Sequence, residues 1–268
     1  MSVVCEILSH QLKGGTNCLF NTVVAFSRLS YPKRLTILEL MGESYIQNAK
    51  TVFASEVPTF AKKLEVVASF LIENQDLSPR LSRGINFGTN EYWEKLAQRF
   101  ANARSPRAPQ QPSTIPDPMV SVILHEYFDF QESELGTVAK QHSLAMAAES
   151  IVGDLLERYI ADKMEDFGWV WCSGEVVKKV DFLAAGTEEP SSWIPVQIKN
   201  RDNSENSSSA SVREGTAIIK WFRTFSRTGK TNWEAFPESV EPSELSEIEF
   251  QRFAKTYLSS LRTQNSAV

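Results

Sequence analysis

The chain has 268 residues, of which 42% are hydrophobic and 10% aromatic, and a formal net charge of −5 at pH 7. This composition can fill the core of one large or two small domains, which excludes a globally disordered chain. The sequence has neither an apolar run long enough to span a membrane nor a secretory leader, so we predict a bacterial cytoplasmic protein without a membrane span. Its three scattered cysteines indicate neither a disulfide framework nor a zinc site.

Residues 1–102 are predicted to form a mostly helical N-terminal region. Apolar residues recur at helical spacing in two stretches of the first thirty residues, then over Leu35–Met41, Ser55–Asn74 and Tyr92–Ala101. Stripes of this kind are typical of helices packed on a core. No residue pattern in this region suggests a catalytic site.

Residues 103–118 contain five prolines among serine and glutamine residues. Proline removes a backbone donor and favours extended structure, so we predict a linker or an irregular surface loop that separates two domains. Arg104 and Arg107 in this segment could contact a phosphate backbone, but we expect them to be solvated. The remaining residues, 119–268, are predicted to form the second domain.

The second domain reads as an α/β core, with helices and strands alternating along the chain. Val120–His125 is apolar and β-branched, which suits either a strand or the start of a helix, whereas Ser143–Phe167 has the clearest helical period in the chain. The elements predicted after it are strands at Trp169–Trp171, Glu175–Leu183 and Trp193–Ile198, a polar loop at Asn200–Ser211, and helices at Val212–Phe225 and Glu244–Leu261.

Two of the predicted strands carry polar groups that could meet. Asp181 lies in an apolar run, and Gln197 and Lys199 are two residues apart, so they point to the same face of a strand. An acid, an amide oxygen and an ammonium group at one point can hold a divalent cation and orient a water molecule. The structural alternative is that both strands simply end in solvent, where Lys199 would extend to water.

A glutamate on the long helix could complete this group. Glu149 shares a helical face with Leu156 and Ile160, so we expect it to point inward, although a place on the polar edge of the helix is equally open. A buried glutamate requires a cation or a hydrogen-bond donor. Glu157 on the same helix is the second candidate, and Glu175 is a third.

These residues together resemble the PD-(D/E)xK nuclease core, a mixed central sheet flanked by helices. The resemblance implies that Asp181, Gln197 and Glu149 bind Mg²⁺ and that Lys199 positions or activates the attacking water. All four residues are then catalytic. The sequence departs from the family pattern in two places, because no proline precedes Asp181 and an amide, Gln197, replaces the second acid.

A closer resemblance follows downstream. The runs QIKNRDNSENSSSASVREGT and IKWFRTFSRTGKTNW are similar to the SinI-type type II restriction endonucleases, and the similarity covers roughly Glu149 to Trp233. It implies a homodimer that cuts double-stranded DNA at a short palindrome, GGWCC in that group. It also implies a restriction–modification system, in which a DNA methyltransferase is functionally paired with the nuclease but not bound to it.

The segment from Lys199 to Lys230 contains seven basic residues against three acids, although the whole chain is acidic. Arginine can bond guanine bidentately and asparagine can do the same for adenine, while lysine and arginine also suit phosphate contacts. On charge alone, two solvated faces of opposite sign are the alternative. The residues predicted to contact DNA are Asn200, Arg201, Asn203, Asn206, Arg213, Lys220, Arg223, Arg227 and Lys230.

Two other functions remain open from the sequence. The first is a repair or structure-specific nuclease of the same fold, which would prefer branched or nicked DNA. The second is a DNA-binding protein without catalysis, and the neutral Gln197 is its best argument.

Overall fold

The computed structural model describes residues 31–185, 193–202, 218–237 and 245–265, with the side chains of residues 31–41, 264 and 265 left out of this description. The chain divides into two compact units, residues 1–98 and 99–268. Within the described part of the chain, no helix is both long enough and apolar enough to cross a membrane.

The first unit is helical. Helix α1 spans Tyr31–Glu56, α2 spans Ala61–Glu73, and α3, Asn90–Arg104, begins in this unit. The helix predicted over Ser55–Asn74 is wrong at its start, because α1 ends before Pro58, whose ring cannot continue a helix. The two helices predicted within the first thirty residues lie outside the described residues.

The core of the first unit is built on apolar stripes and aromatic contacts. On α2, Leu64, Val67 and Leu71 are fully buried at the helical spacing that predicted them. The ring of Trp93 packs edge-on against that of Phe53, with centroids 5.9 Å apart. Among the described side chains of these helices, the buried residues are apolar.

Two helices precede the sheet in the second unit. Helix α4 spans Pro118–Glu126, and the Asp117 carboxylate caps it by accepting a 2.9 Å hydrogen bond from the N–H of Met119. Val120–His125, which the sequence left open between a strand and a helix, is therefore helical. Helix α5 spans Glu132–Met164, so it begins earlier than predicted, and a capping box formed with Gln131 fixes its start.

Four strands form one mixed sheet in the order β1-β2-β3-β4. Their bounds are Val170–Trp171, Phe182–Ala185, Trp193–Arg201 and Ile219–Thr224, and α6 follows at Glu247–Asn265. The pairs β1/β2 and β2/β3 are antiparallel, whereas β3/β4 is parallel. One face of the sheet, with Phe182, Val196 and Trp221, packs with α5 and α6 in a hydrophobic core. The predicted α/β class, a mixed sheet with flanking helices, is confirmed at this level.

Two predicted elements of the second unit are wrong. The helix predicted over Val212–Phe225 is strand β4 from Ile219 onward, because β3 offers a parallel edge to a run rich in aromatic and β-branched residues. The strand predicted over Glu175–Leu183 begins only at Phe182. The residues before it form turns in which Glu175 and Lys179 have positive φ angles, a backbone conformation that a strand cannot contain.

The proline-rich segment 103–118 lies within the second unit and is anchored there at its start. The Arg104 guanidinium pairs with Glu165 at 2.7 Å and donates to the carbonyl of Trp171 at 2.8 Å, so the expectation that Arg104 is solvated is wrong. Arg158 on α5 donates to the carbonyls at the end of α3, which satisfies acceptors that a helix terminus leaves open. The Arg107 side chain is exposed, as expected.

Candidate active site

Strand β3 separates polar from apolar side chains. Val196 and Ile198 belong to the hydrophobic core, so the alternation of a strand directs Gln197 and Lys199 to the opposite face. Gln197 is buried with 5% of its surface exposed, and Lys199 is half-buried. The sequence prediction that Gln197 and Lys199 share one face of a strand is therefore confirmed.

Asp181 stands directly before β2 and is held against β3 on both its main chain and its side chain. Its N–H donates to the carbonyl of Val196 at 2.9 Å, and its carboxylate Oδ2 accepts from the N–H of Ile198 at 2.7 Å. Ile198 is the residue between Gln197 and Lys199, so this bond fixes the acid beside that pair. Burial raises the pKa of Asp181 to about 6, and the Ile198 hydrogen bond and Lys199 oppose this rise.

Helix α5 supplies a second acid to this region, Glu157. Its Oε2 accepts a 3.0 Å hydrogen bond from the indole Nε1 of Trp171 on β1. Burial raises the pKa of Glu157 to about 8, and the negative charge of Asp181 raises it further, while the Trp171 bond and the Lys199 ammonium lower it. Glu157 and Asp181 are therefore close enough for their charges to interact, and Lys199 acts on both.

The expectation that Glu149 points inward is wrong, because its side chain is exposed. Its helical face does become internal further along α5, but only Ala147 is buried before Ile151 on this helix. At about 1.5 Å per residue, Glu157 lies roughly 12 Å further along the axis, where the helix reaches the sheet. Glu175, the third candidate, is exposed as well and pairs with Arg99 at 3.1 Å.

A second lysine lies beside the polar face of β3. Lys220 on β4 is the register partner of Gln197 across the parallel pair. Burial lowers the pKa of Lys220, and the positive charge of Lys199 lowers it further, whereas Asp202 raises it. The two ammonium groups therefore lie near each other on neighbouring strands.

The predicted DNA-contacting residues fall into three groups. Arg201, Arg227 and Lys230 are exposed, whereas Asn203, Asn206 and Arg213 lie outside the described residues. Arg223 is instead bonded within the core: it donates to Glu247 at 2.6 Å and to the Asn200 side-chain oxygen at 3.0 Å, and its side chain exposes only 14% of its surface. These bonds leave the Arg223 guanidinium directed toward α6.

Sequence reasoning missed the Trp171 indole as the donor to an acid and ranked Glu157 below Glu149. One signal could have favoured Glu157. It lies within the run Leu155 to Ala161, where apolar residues occupy nearly the full circumference of the helix, so an acid there is surrounded by core. Around Glu149 the sequence is rich in alanine and polar residues and carries no such signal.

The donor atoms of this site are oxygens. Glu157 and Asp181 contribute carboxylates and Gln197 contributes an amide oxygen, a set that suits Mg²⁺ better than a softer metal. Among the described residues, no three His, Cys, Asp or Glu side chains are grouped so that they could hold a metal. Any cation in the described part of the site would therefore rely on two carboxylates and on neutral oxygen donors.

Fold and site define an α/β protein in which two half-buried acids, Glu157 and Asp181, interact electrostatically and Lys199 lies close enough to act on both. The chain belongs to the SinI restriction endonuclease family, whose model matches residues 46–260. It is 42% identical to the type II restriction enzyme SinI of Salmonella infantis over 225 residues, which cover 81% of this chain and 97% of that protein. It is also 42% identical to the type II restriction enzyme Eco47I of Escherichia coli over 222 residues, 80% of this chain and 96% of the relative. The predicted family and its enzyme class, restriction endonuclease, are confirmed.

Proposed function

We propose that this protein is a Mg²⁺-dependent type II restriction endonuclease with a PD-(D/E)xK core, and that Glu157, Asp181, Gln197 and Lys199 form its active site. The observation that carries the proposal is the pair of half-buried acids, Glu157 and Asp181, with Lys199 beside them. Keeping two carboxylates together in a partly buried place costs free energy, and a divalent cation offsets that cost.

The residues present fit a magnesium ion. Mg²⁺ is usually bound through one or two carboxylates, with water and phosphate oxygens completing its shell, and Glu157 and Asp181 supply that number. The amide oxygen of Gln197 is a further neutral donor on the same face as Lys199. When bound, the cation would lower the pKa of a coordinated water molecule and stabilise the charge that develops on the phosphate.

The protein's own groups then orient the reactants. The N–H of Ile198 and the indole of Trp171 each hold one oxygen of an acid in place, so both carboxylates are fixed before DNA arrives. Lys199 places an ammonium group beside the acids, where it can hold the attacking water or a phosphate oxygen. The oxygen of water forms a bond to phosphorus while the bond from phosphorus to the leaving oxygen breaks, and the leaving oxygen takes up a proton.

Lys220 fits a contact to the phosphate that is cut. It stands beside Gln197, where the family pattern has an acid, so no carboxylate at position 197 competes with the phosphate for the ammonium group. The ammonium group of Lys220 would also offset the repulsion between the DNA phosphates and the carboxylates of Glu157 and Asp181. We assign Lys220 to binding and charge stabilisation rather than to proton transfer.

The contacts that hold the duplex are assigned to exposed residues. Arg201 is the last residue of β3, and Arg227 and Lys230 lie on the turn after β4 that Gly229 closes with a positive φ angle. These side chains suit phosphate or base-edge contacts. Asn203, Asn206 and Arg213 remain predicted DNA contacts, whereas we assign Arg223 and Asn200 to holding β3, β4 and α6 together.

We also propose a homodimer that recognises a GGWCC-like palindrome and is paired in the cell with a DNA methyltransferase that it does not bind. The resemblance to SinI-type enzymes supports the target. A two-fold symmetric site in DNA is matched most simply by a two-fold symmetric protein. Membership in the restriction endonuclease family favours this function over a repair nuclease or a non-catalytic DNA-binding protein.

Plasmid digestion tests the proposal. With Mg²⁺, a plasmid that contains GGWCC sites should yield discrete fragments of the lengths those sites define, and excess EDTA should prevent cutting. Prior methylation of the sites should protect them. A smear, cutting confined to branched or nicked DNA, or binding without cutting in both Mg²⁺ and Mn²⁺ would each reject this function.

A further inference from the structure

Trp171, whose indole bonds Glu157, is held on its main chain by an ion pair. The Arg104 guanidinium donates two hydrogen bonds to the Glu165 carboxylate, from Nη1 to Oε2 at 3.1 Å and from Nη2 to Oε1 at 2.7 Å. Nη2 of Arg104 also donates to the carbonyl of Trp171 at 2.8 Å, and Oε1 of Glu165 accepts from its N–H at 3.2 Å. Each member of the pair therefore bonds one main-chain group of the same residue.

This ion pair stands where a neighbouring strand would lie. Strand β1 is the end strand of the described sheet and pairs with β2 at two register positions. In an antiparallel pair, successive residues of a strand turn their main-chain groups to opposite sides. The N–H of Cys172 donates to the carbonyl of Asp181, on the side of β2. The main-chain groups of Trp171 therefore point away from β2, where Arg104 and Glu165 meet them.

Two guanidinium groups also lie over the indole ring of Trp171. The Cζ atoms of Arg104 and Arg158 are 5.0 Å and 5.3 Å from its centroid, within the range of a cation–π contact. Arg158 is fixed in turn by Asp154 and by the main-chain carbonyls of residues 103–105. A positive charge over the ring draws electron density from it, so the indole N–H becomes a better hydrogen-bond donor.

The ion pair is shielded from solvent. The side chains of Arg104 and Glu165 expose 11% and 12% of their surface. A bidentate pair between a guanidinium and a carboxylate is strong and has a defined geometry, because both groups are planar and bond through two parallel contacts. The pair can therefore hold Trp171 in one orientation.

We propose that Arg104 and Glu165 are positioning residues for Glu157 and that they act through Trp171. The inference rests on the proposed function, in which Glu157 is a metal ligand, and it names the residues that orient this ligand. The pair fixes the main chain of Trp171, and the indole Nε1–H holds Oε2 of Glu157 at 3.0 Å. A ligand that is oriented before the cation arrives loses less conformational freedom when the cation binds.

The structural alternative is that the ion pair stabilises only the corner where the end of α3 meets β1. Trp171 belongs to the hydrophobic core of the second unit, so packing also holds its ring. Under this alternative, loss of the pair lowers stability, and its effect on cleavage does not depend on the indole. Under the proposal, loss of the pair weakens the use of magnesium only while the indole is present.

Exchange of the Trp171 indole proton tests the positioning without metal or DNA. In EDTA, the Nε1–H resonance of Trp171 is assigned by its absence from the spectrum of Trp171→Phe, and its exchange with deuterium oxide is followed by NMR. Arg104→Met and Glu165→Gln should each speed this exchange by about tenfold or more, because the local structure opens more often. Glu165→Gln keeps the side-chain volume, so it decides the question if Arg104→Met does not fold.

Arg99→Met is the matched control. Arg99 also lies on α3 and bonds a glutamate, Glu175, at 3.1 Å, but these two side chains expose 37% and 87% of their surface. An exposed pair of this kind contributes little to local order, so Arg99→Met should leave the indole exchange within about twofold of the wild type.

A double-mutant cycle on cleavage tests the route through the indole. In the wild-type background, Glu165→Gln should raise the Mg²⁺ concentration for half-maximal single-turnover cleavage by about tenfold, the lower range for loss of a group that orients a metal ligand. In the Trp171→Phe background, the same change should add less than about twofold, since the group that transmits the effect is gone. A purely structural role predicts the same factor in both backgrounds.

The proposal is overturned by unchanged indole exchange in Glu165→Gln, by equal factors in the two backgrounds, or by an Arg99→Met effect as large as that of Arg104→Met. A failure of the proposed function looks different. If Glu157→Gln cleaves at the wild-type rate, the active-site assignment is rejected, and the positioning role with it. If Glu157→Gln is inactive and the indole exchange of Glu165→Gln is unchanged, only the positioning role is rejected.

Discussion

The indole Nε1 of Trp171 donates a 3.0 Å hydrogen bond to Oε2 of Glu157, which joins the first strand of the sheet to an acid on helix α5. The bond orients one of the two half-buried carboxylates and favours its charged form, against the burial that raises its pKa. The Trp171 side chain is itself buried. Its role is to position Glu157.

We predict that Trp171→Phe weakens the use of Mg²⁺ while the fold is kept. Loss of a partner that orients a metal ligand typically costs about 10–100-fold in metal affinity, so the Mg²⁺ concentration for half-maximal cleavage should rise by about that factor. Saturating Mg²⁺ should restore much of the rate. The measurement is single-turnover cleavage over a range of Mg²⁺ concentrations.

Trp169→Phe is the matched control for the loss of indole volume. Trp169 is also buried, and its ring stacks on Phe236 with centroids 5.3 Å apart, away from the Glu157 bond. This variant should lose stability but keep the magnesium dependence of the wild type. A Trp171→Phe variant with unchanged magnesium dependence would show that the indole has no positioning role.

Glu149 and Glu157, both on α5, should have different effects on cleavage when they are substituted. Glu157→Gln removes a proposed metal ligand and should reduce cleavage at least about 100-fold, whereas Glu149→Gln should leave cleavage within about twofold of the wild type. Both changes keep side-chain size and remain on the same helix. If Glu149→Gln abolishes cleavage and Glu157→Gln does not, the assignment of the helix acid is wrong.

The same pair gives a prediction for stability without metal. The folded-state pKa of Glu157, about 8, lies above its unfolded value, so the folded chain binds the extra proton and its unfolding free energy falls as pH rises from about 4.5 to about 8. Glu157→Gln cannot ionise, so it does not lose unfolding free energy in this way as pH rises. At pH 8 in EDTA its unfolding free energy should exceed that of the wild type by about 1–3 kcal/mol. Glu149→Gln, at an exposed position on the same helix, is the matched control. Urea unfolding at pH 5 and pH 8 measures both.

Arg223 and Arg227 lie in the same basic segment of the sequence, but their substitution should affect different properties, stability for Arg223 and DNA binding for Arg227. Arg223 bonds Glu247 and Asn200 inside the second unit, so Arg223→Gln should lower the unfolding free energy by about 2–4 kcal/mol. Arg227 is exposed, so Arg227→Gln should leave stability unchanged and weaken DNA binding with a salt dependence reduced by about one phosphate contact. Urea unfolding and DNA affinity at three salt concentrations distinguish them. Equal stability of the two variants would contradict the assignment of Arg223 to the core.

The extent to which the sequence predicted this structure follows from the range of each interaction. The shared face of Gln197 and Lys199 is set by strand alternation, so it was readable from two-residue spacing. The choice between Glu149 and Glu157 depends on where the sheet meets a long helix, and helical period alone carries no information on that position. Strand β4 was mistaken for a helix because a short apolar run fits either element until the edge of β3 is available to pair with it.

Arg223 was misassigned for a related reason. Its acidic partner, Glu247, lies in the predicted helix Glu244–Leu261, and no local pattern links the two residues. The pairing arises when α6 packs on the face of the sheet to which β4 directs Arg223. The ring of Phe250 on α6 also lies under the guanidinium, 5.2 Å from its carbon to the ring centroid. Long-range contacts of this kind decide which member of a basic run is structural and which is available to DNA.

Glu247 should make this packing sensitive to acid. Partial burial raises the pKa of its carboxyl group, but hydrogen bonds from Arg223 and Trp233 outweigh burial and hold the pKa below its usual range. A carboxyl group whose folded pKa lies below the unfolded one contributes stability at neutral pH that is lost as pH falls through the folded value. The wild-type chain should therefore lose unfolding free energy below about pH 4.5 in part through Glu247.

Glu247→Gln should be less stable than the wild type at pH 7, and the difference should shrink as the pH falls below 4. Because 26% of the Glu247 side chain is exposed, solvent screens the ion pair, and we expect a difference of about 1 kcal/mol or less at pH 7. Glu249→Gln, two residues further along α6, is the matched control, because its carboxylate pairs with Arg252 rather than with Arg223. Urea unfolding between pH 3 and pH 7 gives the comparison, and a Glu247→Gln deficit that stays constant over this range would show that charge on Glu247 contributes nothing to the packing of α6 on β4.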